Sequence, residues 1–350
     1  MLMGRVRFGK LCHTEEKKVA PPMLRRTLTG AALAAVLLTA ACGQTPEPSV
    51  ESADAKAHVK IGVVTIVTHP SLDALYDGLV AGLAENGYDE GQNLTIELQN
   101  PQNDLATLSN IVNTYSASDN DLFVAIATPP AQALAQVVQD RPVIFASVTD
   151  PVAAGLVDSM EVPGGNVTGT GDQLPTDEQL KLILDIDPSV ESVGIVYSAA
   201  EVNAQVQAEA AVEAGRELGI DVKTATVTNS SEVQQAAESL DVDAYFALVD
   251  NTVVSAIESM VQVAEERQRL LVTSDADSVA RGAAAALATD YEAQGRQTAG
   301  IVSRILGGAD PATTPVELQK ELEIAINQEA AERMGVTIPE DVVKRAATTS

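Results

Sequence analysis

From Ile61 onward, short runs of β-branched and apolar residues alternate with longer stretches of helical period, an order that restricts the chain to a layered α/β architecture with mainly parallel sheets. Residues 61–67 read as a first strand, a nearly continuous apolar run of the kind a buried parallel strand shows. Leu72, Leu75, Leu79 and Leu83 follow at spacings of three and four, the apolar stripe of a helix over 71–86. The unit repeats as strand 94–98 and helix 104–115, strand 122–127 and helix 130–138, then strand 143–147. Pro129 and Pro130 suit a helix start, where a missing N–H costs little. Four such units make one doubly wound lobe.

The glycine-rich stretch 164–171 interrupts this series, and the first crossover to a second sheet is placed there. A second series follows the same plan: helix 176–186, strand 193–197, helix 202–218, strand 222–227, helix 231–239, strand 244–249, helix 252–266 and strand 270–273. A small-residue strand 283–289, a helix 291–306 ended by Gly307 and Gly308, a strand 322–326 and a helix 328–334 complete the chain. The late strand-helix-strand order fits a chain that returns to the first lobe and crosses back again. The expected fold class is therefore two doubly wound parallel-sheet lobes joined by a three-strand hinge, with an interlobe ligand cleft. The first lobe takes 58–170 plus 289–315, and the second 171–288 plus 316–350.

In such sheets ligands sit beyond the carboxyl ends of the strands. Those ends here are rich in hydroxyls and carboxylates: Thr68 and His69 after the first strand, with Asp73 just inside the helix, Thr128 after the third, and Ser147, Thr149 and Asp150 after the fourth. The second lobe adds Asp172, Ser198, Glu201, Asp250, Asn251 and Asp275. Hydroxyls beside helix N-termini suit a carboxylate, and Asp or Glu on the facing wall suits an ammonium. Thr68, Thr128, Ser147 and Thr149 are assigned to the carboxylate side. Asp250, Asn251 and Asp275 are assigned to the amine side. His69, Asp73, Asp150, Asp172, Ser198 and Glu201 are supporting polar contacts. The competing reading is that these residues only cap the helices they precede, since Ser, Thr, Asp and Asn are the preferred N-caps.

The N-terminal part carries different information. Arg25 and Arg26, the apolar run to Leu38, and small residues before Cys42 read as a signal peptide over 1–41 whose cut exposes a lipid acceptor on Cys42. Residues 1–22 fit this poorly, carrying Glu15 and Glu16, and translation is expected to begin at Met23. Residues 42–57, with Pro46, Pro48 and Ser49, read as a flexible tether. Beyond residue 41 the chain has 15 Lys and Arg against 47 Asp and Glu. So acidic a surface repels phosphate backbones and anionic headgroups, which argues against nucleic-acid binding and leaves membrane attachment to the lipid. Cys42 is the one cysteine left after the cut, so no disulfide is expected, and His58 and His69 alone form no zinc cluster. No dinucleotide fingerprint, phosphate loop or nucleophile elbow occurs, so neither an enzyme nor a cofactor is expected.

Several blocks resemble a known family. Residues 68–73 (Thr-His-Pro-Ser-Leu-Asp), 147–157 (Ser-Val-Thr-Asp-Pro-Val-Ala-Ala-Gly-Leu-Val), 164–169 (Gly-Gly-Asn-Val-Thr-Gly) and 290–295 (Asp-Tyr-Glu-Ala-Gln-Gly) are similar to ABC-transporter substrate-binding lipoproteins of the tryptophan/tyrosine-importer type. The resemblance spans about residues 59–335. It implies a type I periplasmic-binding-protein fold and an extracytoplasmic, membrane-anchored receptor that delivers an amino acid or derivative to a separate permease and, through it, an ATPase. A monomer is expected. The chain departs from an obvious aromatic-binding pattern in having no Trp; Tyr76, Phe145, Tyr197 and Phe246 are the candidates for stacking on a ring. The alternatives are a ligand-binding surface sensor with the same fold, or a receptor for a sugar or nucleoside.

Overall fold

The computed structural model describes residues 57–349. The expected signal peptide, Met23, Cys42 and the tether up to residue 56 lie outside the described residues. The first series comprises β1 (Val59–Val64), α1 (Pro70–Glu85), β2 (Leu94–Gln99), α2 (Leu105–Ser116), β3 (Leu122–Ile126), α3 (Thr128–Val137), β4 (Val143–Ala146) and β5 (Val167–Gly171). The second comprises α4 (Thr176–Ile186), β6 (Ser192–Ser198), α5 (Val202–Leu218), β7 (Asp221–Val227), α6 (Val233–Ser239), β8 (Ala244–Ala247), α7 (Asn251–Val254), α8 (Ile257–Arg267), β9 (Leu270–Thr273), α9 (Asp277–Ala280) and β10 (Ala285–Ala288). The chain ends with α10 (Tyr291–Leu306), β11 (Glu317–Leu318), β12 (Glu323–Ile326), α11 (Gln328–Arg333), α12 (Glu340–Arg345) and β13 (Thr348–Thr349).

Two sheets result. The first runs β11-β5-β4-β3-β1-β2 and the second β13-β12-β10-β9-β8-β6-β7. Every pairing is parallel except β10 with β12. Each sheet has its own core: Phe123 and Phe145 are buried in the first lobe, Tyr245 and Phe246 in the second. The chain passes between the lobes three times, after β5, after β10 and after β11.

The stretch 164–171, expected to be the crossover itself, instead supplies β5, which pairs with β4 from Val167 to Thr170. Gly169 is needed there for close packing, since a Cβ on it would collide with the Phe145 carbonyl oxygen. The crossover follows at 172–175. Glu317 and Leu318 extend the first sheet, beyond the point at 315 where its last segment was expected to stop. The helix expected over 252–266 is broken into α7 and α8 at residues 255 and 256.

The returning helix α10 seats on the first lobe through a close crossing with α1. A Cβ on Gly78 would collide with the Glu292 carbonyl oxygen, and one on Gly295 with that of Leu75. Backbone therefore lies against backbone there, and Arg296 of α10 pairs with Glu85 of α1 at the rim. No described helix is long and apolar enough to cross a membrane.

Candidate functional site

The carboxyl ends of both sheets face one another across a cavity of about 380 Å³ of space not filled by atoms. The first lobe lines it with His69, Ser71 and Leu72 from the start of α1, Ala127 and Thr128 from the start of α3, and Ser147 and Thr149 beyond β4. Asn203, Val249, Asp250, Asn251, Val254 and Asp275 line it from the second lobe. Asp172 and Tyr291, at two of the crossovers, close its base.

Why these groups converge follows from local chemistry. Pro70 opens α1, so the first N–H groups of that helix, on Ser71 and Leu72, precede any carbonyl partner in their own helix, and both residues line the cavity. In α3, Pro129 and Pro130 remove two N–H groups and leave that of Thr128. The chain reaches Thr128 through Ala127 at φ 81° and ψ 164°, a conformation that only glycine adopts without strain. Ser147 is likewise left-handed, at φ 60°. Two strained residues at adjacent strand ends are the mark of backbone held for a site rather than for stability.

Asp172 is the best-defined acceptor. Only 1% of it is exposed, and it takes hydrogen bonds from Ser147 Oγ at 2.7 Å, Thr149 Oγ1 at 2.9 Å and Tyr291 Oη at 3.4 Å. It caps no helix; these three donors are all side-chain hydroxyls. Burial pushes its carboxyl above the usual range, and the hydroxyl donors pull it part of the way back. Burial, and then the charges of Asp172 and Asp275, hold the Tyr291 hydroxyl well above the ordinary phenol range, so it stays a donor.

The second lobe adds two buried carboxylates. Asp250 accepts from Ser198 N at 2.6 Å and Val253 N at 2.9 Å. Burial and the neighbouring Glu201 charge push its carboxyl well up. Asp275 accepts from Ser278 N at 2.8 Å and Ser278 Oγ at 2.7 Å, and burial raises it too. Capping and cavity lining thus coincide in Asp250 and Asp275. The wall is acidic, and its nearest cation, Arg281, is occupied by Glu258. Opposite, burial and Arg281 lower His69 to about 4, so its ring is neutral at neutral pH.

Polar atoms left without a partner mark the cavity further. His69 Nδ1, Thr128 Oγ1 and Asn203 Oδ1 are all buried and unpaired. Buried polar groups are normally satisfied, and these three offer unused hydrogen-bonding capacity to whatever enters the cavity.

The lobes are drawn together over this cavity. Ser71 Oγ reaches Asp275 Oδ1 at 3.2 Å, and Asn103 Nδ2 reaches Thr252 Oγ1 at 2.9 Å, each bond running from the first lobe to the second.

Of the residues expected at the site, His69, Thr128, Ser147, Thr149, Asp172, Asp250, Asn251 and Asp275 line the cavity. The other five do not. Thr68 is exposed and accepts from Asn100 and Gln102. Asp73 lies on the exposed face of α1, and Asp150 turns away to cap the Ala153 N–H at 2.8 Å. Ser198 takes part only behind the wall, through its backbone bond to Asp250. Glu201 is buried there as well, accepting from the N–H groups of Asn251 and Thr252 and from both of their side chains. Ser71, Asn203, Val254 and Tyr291 line the cavity without having been expected there. None of Tyr76, Phe145, Tyr197 and Phe246 lines it, since Phe145 and Phe246 are consumed by the cores; Tyr291 is the aromatic that does.

A two-lobed α/β frame with a polar, buried interlobe cavity defines a solute-binding protein, and comparison with known proteins agrees. Residues 60–350 match the family model described as ABC transporter substrate binding protein. The chain belongs to the ABC transporter substrate-binding protein family. It is 37% identical over 278 residues to the tyrosine-binding protein of Clostridioides difficile strain R20291, covering 79% of this chain and 81% of that one. Among solved structures it is similar to the ABC domain in complex with L-Trp from Streptococcus pneumonia, with TM-score 0.81, 36% identity and coverage of 84% and 100%. It is also similar to the ligand-free, open structure of a substrate-binding protein with adhesive properties from Clostridium difficile, with TM-score 0.65, 34% identity and coverage of 83% and 98%. The fold is that of type I periplasmic-binding proteins, and the family is one of extracytoplasmic solute-binding proteins, not enzymes.

Proposed function

We propose that the protein captures an amino-acid zwitterion with an aromatic side chain, tyrosine or tryptophan, and hands it to an ABC permease driven by an ATPase, while a lipid on Cys42 holds it at the cell membrane. The observation that carries the ligand class is the division of the cavity wall. Free N–H groups at the starts of α1 and α3, with the Thr128 hydroxyl, offer donors to a carboxylate. Asp172, Asp250 and Asp275 offer buried negative charge to an ammonium. An ammonium between such carboxylates offsets the cost of ionising them in a dry site. The relatives' tyrosine and L-Trp ligands fit the same reading.

Binding is by lobe closure, in which contacts to both walls shift the population toward the closed form. Thr128, Ser147 and Thr149 serve the carboxylate side or orient Asp172. Asp172, Asp250 and Asp275 serve the amine side, with His69 and Asn251 as wall contacts. Calorimetric titration of the purified chain with amino acids, sugars and nucleosides tests this. Saturable binding of L-tyrosine or L-tryptophan is expected; binding of sugars or nucleosides with no response to amino acids overturns it. Release of the chain from membranes after Cys42→Ala, with ligand affinity unchanged, is the outcome expected of the anchor.

A further inference from the structure

Asn203 occupies the second position of α5 and is 2% exposed, yet its amide is not free to turn. Its Nδ2 donates to the Val249 carbonyl oxygen at 2.7 Å and to Glu201 Oε2 at 3.3 Å. Both partners are acceptors only, so a flipped amide would set oxygen against oxygen, and the orientation is fixed by chemistry. One turn further along the same helix face, Gln207 Oε1 accepts from the Val249 N–H at 2.8 Å. Between them the two side chains clamp the Val249 peptide at the end of β8.

The consequence is that Asn203 Oδ1 is left over. It lines the cavity and has no hydrogen-bond partner. A carbonyl oxygen can only accept, so whatever satisfies it must bring an N–H or O–H. No described residue donates to it, and Val249 and Val254 of the same wall are apolar. We propose that Asn203 is a specificity-determining residue: its Oδ1 is paired by a donor of the bound amino acid, and ligands that cannot place a donor there bind more weakly. This rests on the reading of the cavity as an amino-acid site. The donor has two possible sources, the ammonium or a ring N–H or O–H, and the chemistry at Asn203 is the same for both.

A crystal structure of the chain with L-tryptophan bound tests the proposal without altering the protein. A tryptophan nitrogen within hydrogen-bond distance of Asn203 Oδ1 is expected, and which nitrogen it is names the source. A water molecule or a carbon at that position overturns the proposal. Calorimetry of wild type and Asn203→Leu with L-tryptophan and L-phenylalanine supplies the second measurement. Loss of one buried pairing lowers tryptophan affinity by roughly 5- to 100-fold. If the ring N–H is the donor, the preference for tryptophan over phenylalanine shrinks in the variant; if the ammonium is, both ligands weaken in parallel. Unchanged affinity for both in a folded variant overturns the proposal. Failure of every amino acid to bind wild type removes the underlying site reading instead, and this proposal with it.

Discussion

Ser71 Oγ and Asp275 Oδ1 meet across the cleft at 3.2 Å, a hydroxyl at the start of α1 touching a carboxylate beyond β9. Neither group lies on a crossover, so the bond exists only when the lobes come together. Its removal tests whether closure is held partly by protein–protein contacts. Ser71→Ala should weaken ligand binding about fivefold, the worth of one net hydrogen bond of about 1 kcal/mol, by speeding dissociation more than slowing association. Stopped-flow measurement of both rates checks this; an unchanged dissociation rate would show that the contact contributes nothing to closure.

Asp172 separates stability from binding. Its folded-state carboxyl is raised by burial, so the native state holds the proton more tightly than the unfolded chain does. That stabilising term is complete below the unfolded value of 3.8 and is lost as pH rises through the folded value. At neutral pH that contribution is reduced or lost, and Asp172→Asn should raise the unliganded melting temperature while lowering ligand affinity more than tenfold. Thermal melts at pH 7 and pH 3.5 check the sign, since the variant's advantage should vanish in acid.

His69 gives the opposite slope. Its folded value is depressed to about 4 against 6.5 when unfolded, so stability is complete above 6.5 and falls as pH drops toward 4, by up to about 3 kcal/mol. The charges facing it are Arg281, Asp277 and Glu201. Comparing His69→Asn with wild type isolates the effect: the wild type should lose stability relative to the variant between pH 6.5 and 4. Parallel curves across that window would rule out a buried neutral imidazole.

Gly295→Ala should lower the melting temperature by several degrees. The added methyl has no room against the Leu75 carbonyl, so α1 and α10 must separate, at about 1–3 kcal/mol. Equal melting of variant and wild type would mean that the helices are not in backbone contact.

Ala127→Gly should stabilise the protein by about 1 kcal/mol. Strain at φ 81°, ψ 164° is worth roughly 1–3 kcal/mol, and the greater freedom of glycine in the unfolded chain returns part of it. Denaturant melts measure the difference, and a destabilised variant would show that Ala127 sits in its conformation at no cost.

Much of the architecture was legible because burial and period agree. The helices at 176–186, 202–218 and 291–306 match α4, α5 and α10 residue for residue. β5 was missed because Thr168, Thr170, Gly169 and Gly171 carry no apolar run; what makes it a strand is space and hydrogen bonding, with Thr168 Oγ1 donating to the Thr314 carbonyl. β11 is two residues long and has no pattern to read. Strand-end logic found the groups that hang from loops at the sheet edges, and eight of its thirteen candidates reach the cavity. It overreached at Thr68 and Asp73, where one residue of rotation turns a side chain outward. Asn203 was hidden inside a helix, and its one signal was a polar amide at a position where the α5 stripe turns inward. Tyr291 was read as the first residue of a helix and as part of the block 290–295, but not as a site residue, although it follows a crossover directly.

That α10 and β11 belong to the first lobe while β12 to β13 belong to the second has a bearing on biosynthesis. As the polypeptide is made, α1 waits with its Gly78 surface bare until Tyr291–Leu306 has emerged, and β10 lacks its antiparallel neighbour until Glu323–Ile326 follows. Each lobe is thus completed only by residues made after Tyr291.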